Sequence, residues 1–454
     1  MSFEFDSKKI DQIIQEEMEE MKIPGLAVAI VSGTDTVYLK GFGKANESGK
    51  KITDKTPFFI GSSSKSFTAL AIMQLAEAGH LEIDEPVIKY LAEFRHVKNA
   101  EGITIRQLLN HTSGFSTYEG MKLFDWKAGG SLSQLSENLK QVGVSRKPGV
   151  SYEYSNLNYV ILGAIIETVS GMTYEAYLEN KIFHPLGMKH SFTDCRKAQT
   201  YGLEKGYQPL LGRIRQTEYE FHPEIVPAGY IASTAEDMSH YLIANLNKGC
   251  YQDEKILSGD GITMLHTKSS ETSEHYGLGW FDYGELVHHG GSAENYHANM
   301  MLLPSRGLGI AILYNINDNI SGAFIKGSFG SGETVSYDRI QSRIINALTE
   351  KEIVSPVIAS GKGFHKKANI VFGSLFTLFT LYGWAVLSNS SFPVPVVLIM
   401  DALLPVCLLF ALPRLFKAGW IAMFRFAAGF AHALCALQIY LVIIGVLKVI
   451  TAIL

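Results

Sequence analysis

The chain changes character once, at Lys367. Before it, charged, polar and apolar residues are mixed; after it come about 88 residues that are mostly apolar. The first part has to bury a core in water, and the last part has the composition of a membrane bundle. Ala368–Leu387 carries no charge over about 20 residues, enough to cross the hydrocarbon core. Phe392–Leu412 reads as a second span, with Asp401 inside it and Pro405 interrupting it. Phe426–Leu447 reads as a third, with Lys448 near its end. The expected organisation is a soluble domain over 1–355, a linker over 356–367, and three transmembrane helices within 368–454. An ionisable group at mid-membrane is a functional hypothesis by default, and His432 or Gln438 could partner Asp401. A hydrogen bond within the bundle, at a helix break, is the plainer account.

Charge excludes one class of partner. Forty basic residues stand against 44 acidic ones, a net charge of −4, so the chain has no electrostatic footprint for nucleic acid. Two of the four cysteines, Cys407 and Cys435, lie in the apolar part. Cys195 and Cys250 alone imply no disulfide framework. The first residues, MSFEFDSKKIDQIIQEEMEEM, are polar and acidic and do not read as a secretory signal.

In the soluble part, Asp11–Met21 has apolar residues at helical spacing and stops at Pro24-Gly25. Leu26–Val31 and Val37–Phe42 read as a hairpin. Ser62–Gly79, Ile105–Asn110 and Tyr159–Val169 read as helices. Gly277–Phe281, Leu286–His288, His297–Leu303 and Gly309–Tyr314 read as strands, and Ser336–Leu348 as a closing helix. The order predicts an α/β (α+β) fold. Its antiparallel sheet is built from both ends of the domain and flanked by helices, with a helical region inserted between.

Three short motifs carry chemistry. Ser62-Ser63-Ser64-Lys65 comes first, and positions three apart on a helix share a face, so Lys65 can lie beside the Ser62 hydroxyl. A serine hydroxyl is a weak nucleophile until a neighbouring base takes its proton. A lysine serves as that base where burial or nearby charge lowers its pKa. Alone the spacing says little: about one or two such matches arise by chance in a chain this long, and Ser48 with Lys51 is one, in a polar stretch with no helix after it. Tyr154-Ser155-Asn156 comes second. A phenol beside an ammonium can be held partly ionised and take a proton from Ser62, while Asn156 can hydrogen-bond Lys65 and a substrate amide. By itself Tyr154 reads better as a packed tyrosine at a strand-to-helix turn. His289-Gly290-Gly291-Ser292 comes third. His289 on a strand can face a cleft, Gly291 lets substrate backbone come close, and the amides of Ser62 and Ser292 can form an oxyanion hole.

In this order the three motifs resemble those of the serine β-lactamase-related family, over roughly residues 7–350. That family includes penicillin-binding proteins, class C β-lactamases, D-aminopeptidases and certain esterases. Thr104–Gly114, Pro227-Ala228-Gly229-Tyr230 and Tyr276-Gly277-Leu278-Gly279-Trp280 resemble further segments of it. The resemblance implies a β-lactamase/transpeptidase-like fold and an acyl-enzyme on Ser62. Lys65 and Tyr154 would be catalytic with it, and Asn156, His289, Gly291 and Ser292 would hold substrate and oxyanion. One departure matters: His289 stands where β-lactamases and transpeptidases carry a lysine that helps hold substrate carboxylate. That argues against efficient β-lactam hydrolysis and favours a peptidase, amidase or esterase, with a peptidase or amidase the leading expectation. A small-ester esterase and a non-catalytic ligand sensor on the same fold are the alternatives.

No cofactor or metal is expected, since there is no His-Glu-x-x-His and no cysteine cluster. Gly327–Gly332 lacks the lysine of a phosphate loop. The expected partners are a peptide or small acyl substrate and the lipid bilayer, in a multi-pass membrane protein; the oligomeric state is left open. Lys362, Lys366 and Lys367 before the first span, with Arg414, Lys417 and Arg425 after the second, put the soluble domain on the cytoplasmic side. The resemblance to membrane-anchored D-stereospecific peptidases implies the opposite side. Phe59 departs from those of them that mature peptides, which carry an acidic residue there.

Overall fold

Hydrogen-bond register joins two distant parts of the chain into one sheet. β1 (Gly25–Ser32) and β2 (Asp35–Gly43) form the expected hairpin. β3 (Phe281–Asp282), β4 (Val287–Ala293), β5 (Tyr296–Leu303) and β6 (Leu308–Tyr314) come from the far end of the domain. The order is β2-β1-β6-β5-β4-β3, antiparallel at every step. β1 meets β6 from Leu26 opposite Tyr314 to Ser32 opposite Leu308. β6 is buried along its whole length, and β1 up to Val31, so both faces are covered. This is why the two read as unbroken apolar runs rather than as alternating ones. This computed structural model describes residues 6–121, 138–210, 213–317 and 338–349, with Leu123 and isolated positions beyond 373.

Four helices matter for the site: α1 (Ser64–Glu77), α2 (Ile105–Leu109), α3 (Asn156–Ser170) and α4 (Ala235–Leu246). Every residue of α1 from Ser64 to Met73 is buried, which is the pattern of an interior helix rather than a surface one. Phe67 stacks on Tyr241 of α4 with ring centroids 4.0 Å apart, and Tyr241 lies parallel to Trp280 at 6.2 Å. These rings fix α1 between α4 and the Tyr-Gly-Leu-Gly-Trp segment. Thr104 starts α2 with a capping box to Gln107, and Gly171, at φ +68°, ends α3.

The architecture meets the expected sheet with helices inserted between its two halves. Two strand boundaries differ. The Gly277–Phe281 stretch turns instead of running straight, and the strand is confined to Phe281–Asp282. Gly279 has φ +80°, and a Cβ there would sit 2.7 Å from Ala69 Cβ and 3.0 Å from Lys65 O. The glycine lets the chain pass directly under α1 at Lys65. The expected Leu286–His288 strand runs on to Ala293, so the whole third motif is strand.

The chain divides into two compact units. The first comprises residues 1–8, 23–207 and 216–317 and holds the sheet and the four helices. Described parts of the second include residues 9–22 and the helix Asp338–Thr349. Within it, Arg343 donates to Glu17 at 2.8 Å and to Glu16 at 2.7 Å. Among the described residues, no helix is long and apolar enough to cross a membrane. The three expected spans with Asp401, and the Gly327–Gly332 stretch, lie outside the described residues apart from isolated positions.

Candidate active site

Gly61 sets the geometry of the first motif. Its φ of +53° suits a residue without a Cβ, and a Cβ there would lie 2.4 Å from the Ser292 amide nitrogen. Gly291 meets it from the other side, where a Cβ would lie 1.8 Å from Ile60 O. Backbone therefore touches backbone, and β4 is held against the turn that carries Ser62. The amides of Ser62 and Ser292 are brought into one neighbourhood by the close approach that two glycines allow.

Three consecutive serines follow, and their surroundings separate them. Ser63 donates its hydroxyl to the His289 carbonyl oxygen at 3.1 Å. The Ser64 hydroxyl oxygen accepts from the Ile231 amide at 3.1 Å. Both are fully buried, while Ser62 keeps partial exposure. Ser62 Oγ lies 3.1 Å from Lys65 Nζ, one helical turn on. Ser48 is exposed, gives its hydroxyl to Asn46 Oδ1 at 2.7 Å, and has no helix behind it.

Lys65 is 0% exposed. Besides Ser62, its ammonium donates to Asn156 Oδ1 at 2.8 Å and to Ala228 O at 2.5 Å. Asn156 is the first residue of α3, so the helix start delivers its amide to the lysine. Ala228 comes from the Pro227-Ala228-Gly229-Tyr230 segment, where Thr68 also donates to Pro227 O at 2.7 Å. The aromatic faces of Tyr154 and Tyr159 lie 4.9 Å and 5.6 Å from Lys65 Nζ, a cation–π enclosure.

The Tyr154 ring lies beside Lys65 Nζ, on the side of the site where Ser62 stands. Burial pushes its phenol pKa up, and the nearby Ser62 hydroxyl offsets only part of that. The resting phenol therefore keeps its proton, and the expectation of a partly ionised Tyr154 gives way to a neutral one. Desolvation dominates because a phenolate loses its water here.

His289 is 1% exposed, and both ring nitrogens are engaged inside the protein. Nδ1 lies 2.7 Å from Gly290 O, a pure acceptor, so Nδ1 carries the proton. Nε2 is then the acceptor for the Tyr276 hydroxyl at 2.9 Å. Burial, with the charge of Lys65 second, lowers the His289 pKa to about 3. At neutral pH the third motif offers no fixed positive charge from its histidine. The sequence placed His289 on a strand but gave no sign of its Tyr276 partner, which lies 13 residues earlier.

A family model described as Beta-lactamase matches residues 10–326, well over half the chain. This chain belongs to the beta-lactamase family. Its relatives within that family include Protein flp of Staphylococcus aureus (strain N315), 30% identical over 320 residues, covering 68% of this chain and 63% of that protein. A hydrolase of Aspergillus campestris named for unguisins is 26% identical over 334 residues, covering 68% of this chain and 61% of that protein. The chain thus spans less than two thirds of the length of these relatives. Among solved structures, the octameric penicillin-binding protein homologue from Pyrococcus abyssi is similar with a TM-score of 0.60 and 32% identity, over 69% of this chain and 74% of that one.

For this beta-lactamase-family chain the three motifs converge in one place, and two segments quoted only for their likeness supply contacts. Ala228 O accepts from Lys65, and Tyr276 holds His289. No periodicity or spacing could have marked a backbone carbonyl as part of the site. Among the described residues, His190, Glu236 and Asp237 bring three ligand-type atoms within 4.8 Å of one another. Lys55 Nζ stands 3.4 Å from Glu236, so a protein charge already answers that carboxylate.

Proposed function

We propose that this chain is a membrane-anchored peptidase or amidase that works through an acyl-enzyme on Ser62. One observation carries the reading: Ser62 Oγ is within 3.1 Å of Lys65 Nζ, on the only partly exposed serine of three. Ser62 Oγ attacks the substrate carbonyl carbon, and its proton passes to Lys65, which acts as base once its resting ammonium has released a proton to solvent, while Tyr154 keeps its own. The amides of Ser62 and Ser292 hold the oxyanion, and collapse of the adduct breaks the C–N bond. Tyr154 gives its proton to the leaving amine and regains one from Lys65. Water then repeats the sequence on the ester. Asn156 keeps Lys65 in place, and Gly291 lets β4 close on the turn that carries Ser62, so the room expected there for substrate backbone is taken by Ile60 O.

The neutral, fully engaged His289 favours substrates that present no carboxylate to the third motif. That supports cleavage within a peptide or of an amide, over β-lactam turnover. The relative named as an unguisins hydrolase adds support for hydrolysis as the reaction class. The apolar segments after Lys367 support the anchor. Incubation with matched L- and D-peptide libraries and a short-chain ester, scored by mass spectrometry, tests the substrate. Peptide cleavage that disappears in Ser62→Ala is the expected result; ester turnover alone would replace this reading with an esterase. Reporter fusions at Ser360 and Ser390 test the anchor, and equal, soluble behaviour of both fusions would remove it.

A further inference from the structure

One imidazole outside the three motifs, His111, is tightly held. It is 0% exposed and sits at φ +59°, a left-handed conformation that few side chains adopt. Its contacts converge on the residues around Tyr154. The His111 carbonyl oxygen accepts from Glu153 N at 2.9 Å. Its Nδ1 accepts from Ser155 N at 3.2 Å. Its ring lies 4.3 Å from the Tyr154 ring, tilted by 31°. One residue therefore holds the backbone on both sides of Tyr154 and the face of its ring.

The proton on His111 can be located. A backbone amide only donates, so Nδ1 is an acceptor and the proton is on Nε2. The neighbours agree. Ser113 donates to Asn158 Oδ1 at 2.7 Å, which turns the Asn158 amide nitrogen toward His111 Nδ1 at 2.9 Å. Nε2–H is then a buried donor, and it has no hydrogen-bond partner. The Tyr276 ring is 4.8 Å from the His111 ring at an interplanar angle of 68°, an edge-to-face arrangement. Burial, then the charge of Lys65, keeps His111 well below the usual histidine range. A neutral imidazole here spares Lys65 a second cation.

An unpaired buried donor is costly and has to be offset by something the imidazole does. We infer that His111 is a positioning residue: its Nδ1 and ring face fix Tyr154 in line with Ser62 and Lys65 for proton transfer. This rests on the Ser62 acyl-enzyme reading. Asparagine and glycine separate the parts of the role. Both tolerate a positive φ, but only asparagine carries an acceptor close to where Nδ1 stands.

The experiment measures the rate of fluorophosphonate labelling of the full chain for wild type, His111→Gly and His111→Asn, over a range of probe concentrations, with melting temperatures alongside. A misplacement of about 1 Å at a proton-transfer group costs about 100-fold, so His111→Gly should lower the limiting labelling rate by about that factor while half-saturation stays within about twofold. His111→Asn should recover about tenfold of it at an equal melting temperature. A His111→Gly variant that labels at the wild-type rate overturns the inference and leaves the Ser62 reading intact. Equal rates for the glycine and asparagine variants, at equal melting temperatures, overturn it as well. Should the glycine variant fail to fold, a His111→Asn variant that labels as slowly as His111→Gln at equal melting temperature does the same, because glutamine carries its acceptor one methylene too far out. Wild type that takes no label brings down the Ser62 reading and this inference together.

Discussion

The Ser63 hydroxyl donates to the main-chain carbonyl oxygen of His289 at 3.1 Å. The residue beside the proposed nucleophile thus ties the first motif to the third. Ser63→Ala leaves a buried carbonyl with one partner fewer, a loss of about 1–2 kcal/mol in urea unfolding. Labelling by a fluorophosphonate should slow but remain on Ser62, and Ser62→Ala should end it. Peptide mapping by mass spectrometry reads the site; label recovered on Ser63 would reassign the nucleophile.

Gly61 and Gly291 are expected to tolerate no side chain. A Cβ on Gly61 would meet the Ser292 amide at 2.4 Å in a positive-φ conformation, and one on Gly291 would meet Ile60 O at 1.8 Å. Both obstacles are backbone and cannot swing away. Gly61→Ala should lose about 1–2 kcal/mol from conformation alone, before the clash. Gly291→Ala should separate β4 from Ser62 and cut labelling by about 100-fold or more, as loss of an oxyanion donor does. Wild-type labelling in Gly291→Ala would exclude the Ser292 amide from the oxyanion hole.

Tyr154→Phe removes the hydroxyl and keeps the ring that His111 and Lys65 contact. Activity should fall by about 10²–10⁴, the usual contribution of a positioned acid or base. The melting temperature should hold, because burial of the phenol is a cost that phenylalanine does not carry. A large drop in stability with activity preserved would make Tyr154 a packing residue.

Buried histidines set an acid limit on stability. Burial lowers His289 to about 3 and His266 to about 4, from an ordinary value of 6.5. Below pH 6.5 the unfolded chain takes up protons that the folded chain refuses. Stability is therefore complete above pH 6.5 and declines as pH falls toward the folded values. Each such histidine contributes a slope approaching about 1.4 kcal/mol per pH unit within that window. Urea titrations at pH 7, 6 and 5 should show the decline, and His266→Gln should make it shallower by one proton. An unchanged slope in that variant would mean His266 titrates normally in the folded chain.

Much of the sheet was legible in the sequence, because β1 and β6 are buried on both faces and show it as continuous apolar runs. The turn at Gly277–Trp280 was not. Its residues are apolar enough for a strand, and only the passage under Lys65 O makes a positive-φ Gly279 necessary. The site divides the same way. Side chains at fixed spacing, Ser62 with Lys65, are a local property of a helix and can be read in order. Contacts made by backbone atoms, such as Ala228 O on Lys65, carry no residue-type signal at all.

The sequence by itself determined the three motifs, their order, the family resemblance and the break at Lys367, because helical spacing and hydropathy are properties of neighbouring residues. The tertiary structure alone decided which serine of three is available, that Tyr154 holds its proton, and that His289 is neutral and occupied by Tyr276. Each of those depends on how much water a group loses and which distant atom replaces it. Desolvation and long-range hydrogen bonding arise only when the chain is folded, so no reading along the chain could supply them.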